Sequence, residues 1–174
     1  MGVTVQTRSF PCDLICLCTV LKTDVFEQEV EVHSFGLART ALESCPWGWQ
    51  RYERRCFKFV STTRTWAEAE RYCVMMGGNL ASVHSRNEYY FVQDLVRKNT
   101  QSTPVTWIGG CDAAQEGLWL WSDGSRFDYS HWNTAEPNNL EKIEHCLHFN
   151  WGGPLGWNDI PCNRLYPSVC SMHL

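Results

Sequence analysis

The sequence predicts an α+β domain, cross-linked by cysteines, over residues 45–174 of a 174-residue chain. Three observations carry that prediction. All nine Trp stand at or after position 47, and seven of the ten Cys (45, 56, 73, 111, 146, 162 and 170) share the stretch. Two helical patterns occupy its first half. Beyond Thr103, short apolar runs alternate with turn-rich loops, as strands do. The length suits one domain with a real core. With 44% hydrophobic and 20% charged residues, the chain is neither disordered nor a membrane bundle. A net charge of −4 argues against nucleic acid, whose readers carry a basic stripe. Ten Cys point to an oxidising compartment or to a metal protein.

Residues 1–44 are a leader that reads in more than one way. Leu14 to Leu21 (LICLCTVL) is an uncharged run of eight, sized like a signal-peptide core and too short to span a bilayer. Asp13 precedes it, Arg8 supplies the one early positive side chain, and no small-x-small cleavage site follows. An irregular N-terminus is therefore the alternative. Cys12, Cys16 and Cys18 find no second cluster to complete a metal site. Glu27 to His33 reads as strand or as unstructured chain.

The elements of the body follow in order. Arg51 to Phe59 alternates with period two and predicts a hairpin across which Cys45 and Cys56 would meet. Thr65 to Met76 predicts a helix, with Trp66, Ala69, Cys73 and Met76 at helical spacing and Gly77-Gly78 as its stop. Leu80 to Val83 is a short apolar link. Ser85-Arg86-Asn87-Glu88 matches a capping box and opens a second helix through about Lys98, with Tyr89, Val92, Leu95 and Val96 on one face. Trp107 to Gly110 and Leu118 to Trp121 read as buried strands, and Ser168 to Met172 as the last strand.

In that order the chain carries CPWGW (45–49), WAEAERYC (66–73), LASVHSRNE (80–88), WIGG (107–110), EPN (136–138) and WND (157–159). This ordered set resembles a C-type lectin domain of the long form, most like secreted fish lectins and the related type II antifreeze proteins. The resemblance implies an α+β fold with two helices, small antiparallel sheets and a long calcium-binding loop region. It also implies the bridges Cys45–Cys56, Cys73–Cys170 and Cys146–Cys162. Cys111 is left over: free, paired with a leader Cys, or used between chains.

The resemblance further implies that Glu136, Asn138, Glu144, Asn158 and Asp159 bind Ca2+ and carbohydrate together. Their chemistry agrees, because calcium takes roughly six to eight oxygen ligands, whereas zinc favours His and Cys. A cis bond at Pro137 would turn Glu136 and Asn138 toward one point. EPN goes with mannose-type sugars in the family. Trp151 is a candidate stacking surface, whereas Trp157 fits the core better. A second, auxiliary calcium site would draw on Asp112, Glu116, Asn139 and Glu144, weakened because Asn139 and His145 replace frequent carboxylates. His145-Cys146-x-His148 also suggests zinc, but Cys146 is needed for a bridge and the His pair suits surface or packing.

No nucleophilic triad or phosphate loop stands out. Glu136 and Glu144 as a hydrolase pair would need a proton that calcium ligation removes. The expected function is therefore a secreted, extracellular, non-enzymatic lectin for mannose-type glycans in innate recognition, without a membrane span. Weak single sites would favour a homo-oligomer. The alternative is an ice-binding protein on the same fold.

Overall fold

Period-two alternation opens the domain as a hairpin: β1 (Gln50–Tyr52) pairs antiparallel with β2 (Arg55–Arg64), and Arg51 lies opposite Cys56. The structure, a computed structural model, describes residues 44–174. The leader readings, including the run at Leu14 and Cys12, Cys16 and Cys18, lie outside the described residues.

Helix α1 (Trp66–Met75) starts at Thr65, whose hydroxyl accepts the Glu68 N–H while the Glu68 carboxylate accepts the Thr65 N–H. That reciprocal capping box satisfies two end donors. The box that the sequence suggests belongs to the next helix. At α2 (Arg86–Thr100) only half of it forms: Ser85 accepts the Glu88 N–H at 3.2 Å. Glu88 turns away because it has stronger partners, the Arg55 guanidinium at 2.6 Å and the His84 N–H at 2.7 Å. The glycine stop after α1 is as expected. Gly77 has φ 88°, and the Gly78 N–H returns to the Cys73 carbonyl at 3.0 Å.

The remaining strands are β3 (Asn79–Leu80), β4 (Thr106–Cys111), β5 (Leu120–Trp121), β6 (Cys146–Trp151), β7 (Gly156–Ile160) and β8 (Tyr166–His173). Pairing runs β1-β2-β8-β4-β6-β7, with β3 on β8 and β5 on β4. All pairs are antiparallel except β4 with β8, which meet in parallel at Trp107 and Ser168. That contact joins the expected small antiparallel sheets into one mixed sheet. Leu118 to Trp121 is not the fully buried strand expected, because Trp119 and Trp121 point inward while Leu118 and Leu120 stay exposed.

The alternation of strand side chains builds two cores. Phe57, Ile108, Leu147 and Val169 join the α2 residues Tyr89, Val92, Leu95 and Val96. Their strand neighbours Cys56, Trp107, Cys146 and Cys170 join Ala69 and Cys73 of α1. Trp157 is fully buried among the rings of Tyr89, Trp121, Phe127, Tyr129 and Trp132.

All three expected bridges are present: Cys45–Cys56, Cys73–Cys170 and Cys146–Cys162. The second ties α1 to β8, and the third ties β6 to the chain leaving β7. Cys111 is a free, half-buried thiol among the described residues. No helix among them is long and apolar enough to cross a membrane.

Candidate calcium and sugar site

Strands β6 and β7 form the base of the site. Their register sets Leu147 opposite Asp159 and His148 opposite Asn158. Asn158 and Asp159 therefore sit on a strand rather than at a loop end. Asp159 is 1% exposed and anchors the preceding loop. Its two oxygens accept the backbone N–H groups of Asn138 at 3.0 Å and Asn139 at 2.7 Å. The 3₁₀ turn Leu140–Lys142 then delivers Glu144. One Glu144 oxygen accepts the Leu140 N–H at 3.0 Å, and its own N–H donates to the Asn139 side-chain oxygen at 3.1 Å.

Glu136 enters across a cis Glu136–Pro137 bond. Its Oε2 is buried without a hydrogen-bond partner. Burial, then the charges of Asp159 and Glu144, push its carboxyl up to about 7. Burial also raises Glu144. No ion pair to a Lys, Arg or His neutralises Glu136, Glu144 or Asp159 among the described residues. The carboxylates of Glu136, Glu144 and Asp159 repel one another, one keeps an orphaned oxygen, and Asn158 stands next to Asp159 on β7, a donor set that suits a hard divalent cation such as calcium. Asn138, the fifth residue expected, is exposed beside them.

His148 is the residue that sequence reading undervalued. It is fully buried, and its Nε2 lies 3.0 Å from the Asn158 amide nitrogen. The amide donates to the ring, which leaves the Asn158 oxygen free for a cation. Burial alone lowers the His148 pKa to about 3, so the imidazole is a neutral acceptor. The ring also stacks on Tyr166 at 5.5 Å. Only the β6–β7 register reveals this partnership. Trp151, at the end of β6, is 43% exposed, with its ring 5.7 Å from His148.

The residues expected for an auxiliary site divide. Asp112 and Glu116 come together with His145, their ligand-capable atoms all within 4.8 Å. The Asn139 amide donates to Glu116 Oε2. Glu144 is not part of that trio and stays with the Leu140 N–H.

The family model for the lectin C-type domain matches residues 62–172. Ladderlectin of Oncorhynchus mykiss is 47% identical over 148 residues, 82% of this chain and 78% of its own length. The galactose-specific lectin nattectin of Thalassophryne nattereri is 41% identical over 139 residues, 80% of this chain and 87% of its own. Among solved structures, herring type II antifreeze protein superposes with a TM-score of 0.70 at 37% identity, covering 75% of this chain and 99% of that one. Sequence and architecture agree: the chain belongs to the C-type lectin domain family, a family of binding proteins rather than enzymes.

Proposed function

We propose that this protein is a secreted, calcium-dependent lectin that binds mannose-type glycans through Glu136, Asn138, Glu144, Asn158 and Asp159. The observation that carries the reading is the orphaned, buried Glu136 oxygen beside Asp159 and Glu144. A calcium ion held by these residues would supply a positive centre for sugar hydroxyls. The chain supplies the hydrogen bonds around it. Glu136 and Glu144 accept from the hydroxyls, and Asn138 and Asn158 donate to them. Asn158 already gives one N–H to His148, which fixes the direction of the other. The exposed Trp151 offers an apolar face to the sugar ring.

The Glu136-Pro137-Asn138 order supports mannose-type sugars, while the name of nattectin records galactose for a relative. Three disulfides support an oxidising, extracellular setting. Recognition of microbial or host glycans by a homo-oligomer, in innate defence, suits single sites that gain strength by avidity. A glycan array run with calcium and with EDTA tests the reading. Mannose-type signals that require calcium support it; calcium-dependent signals confined to galactose would overturn the sugar assignment.

The likeness to herring type II antifreeze protein favours a second reading, ice binding on the same fold. Thermal hysteresis by the purified protein would establish it, and its absence at millimolar protein would remove it.

A further inference from the structure

Asp112, Glu116 and His145 form a second cluster whose chemistry differs from that of the site above. Asp112 is 2% exposed, and its Oδ2 accepts the Gly117 N–H at 2.8 Å. That bond turns Oδ1 toward the His145 Nδ1, 3.1 Å away. Glu116 Oε2 lies 3.6 Å from the same nitrogen. Among the described residues, the ion-pair partner of both carboxylates is His145, with no Lys or Arg beside it. A buried carboxylate ordinarily has a compensating cation.

We infer that Asp112, Glu116 and His145 form a site for a zinc-type transition-metal ion, not for calcium. Calcium sites are built from oxygen, whereas an imidazole nitrogen with two carboxylates is a zinc-type donor set. The spacing agrees. Two ligands of a tetrahedral zinc with bonds of about 2.0–2.1 Å lie about 3.3–3.4 Å apart. The two nitrogen-to-oxygen distances of 3.1 and 3.6 Å bracket that edge. The Gly117 N–H plays the outer-shell part, holding one ligand in line. A three-residue set leaves the fourth position of the tetrahedron to water or to a group from a ligand. Asn139 links the two sites: its amide donates to Glu116, while its backbone N–H holds Asp159.

The experiment is calorimetric titration of the full-length protein with ZnCl2 in saturating calcium, followed by the variants His145→Asn and Glu116→Gln. Glu116 is largely exposed, so its variant tests the site without threatening the fold. One equivalent of zinc should bind beside calcium. Each variant should weaken it by more than roughly tenfold, the loss that even an outer-shell change brings. Calcium affinity of His145→Asn should stay unchanged, while His145→Asp should add a second calcium equivalent at the expense of zinc. Absence of zinc binding in saturating calcium would overturn the inference. Zinc binding that ignores both variants, or two calcium equivalents in the unaltered protein, would overturn it as well.

Discussion

Removing the Cys73–Cys170 bridge should destabilise the domain more than removing either of the others. The three bridges close chain separations of 97, 11 and 16 residues for Cys73–Cys170, Cys45–Cys56 and Cys146–Cys162. In the chain-entropy model these loops correspond to about 4.7, 2.8 and 3.1 kcal/mol at 25 °C. Cys73 and Cys170 are both fully buried, so paired replacement by Ala keeps the cores apolar. The difference of about 2 kcal/mol between the long bridge and the short ones is measurable by urea unfolding followed through Trp fluorescence. Function should separate differently. Only Cys146–Cys162 braces the strands that carry Asn158 and Asp159. Its removal should weaken calcium binding more than removal of Cys45–Cys56 does. Equal stability losses for Cys73→Ala/Cys170→Ala and Cys45→Ala/Cys56→Ala would refute the loop argument.

Three further outcomes are expected. The His148 pKa is lowered from 6.5 to about 3, so the unfolded chain takes up the proton first as pH falls. Stability from this group is complete above about pH 6.5 and should fall by about 2 kcal/mol by pH 5. Urea titrations at pH 7.5 and 5 should show that loss, and His148→Gln should lack it. Glu136 titrates in the opposite sense: its carboxyl is raised to about 7, so its contribution to the calcium-free fold is present at low pH and lost as pH rises through that value. Calcium needs the ionised form, so the calcium-induced rise in Tm should be larger at pH 8 than at pH 6 in differential scanning calorimetry. The double change Glu136→Gln with Asn138→Asp should move sugar preference from mannose toward galactose, read by competitive elution with each sugar.

Much of the fold was written locally. The period-two run before Phe59, the Tyr89–Val96 stripe and the Gly77-Gly78 stop all depend on near neighbours, and the structure follows each of them. What escaped was set by residues distant in sequence. Arg55 claims Glu88 across 33 positions and dismantles half of the second capping box. The parallel contact of β4 with β8 depends on how two remote strands lie side by side. Asn158 and Asp159 fall in the turn-rich half of the sequence, yet the pairing of β7 with β6 makes them strand residues. The oxygen donors of the proposed calcium site stand out in the sequence because they cluster in EPN, in WND and just before Cys146. His148 was not, because its role exists only through a cross-strand partner. The resemblance sets His145 beside Asp112 and Glu116 as a carboxylate replacement, and the structure brings its imidazole to both, about thirty positions apart in sequence.

Calcium-dependent mannose binding is tested most directly by retention of the protein on mannose-agarose in calcium, followed by EDTA. Retention that EDTA releases is expected, and no retention of Glu136→Gln. Retention that persists in EDTA, or that survives loss of the Glu136 charge, would contradict it.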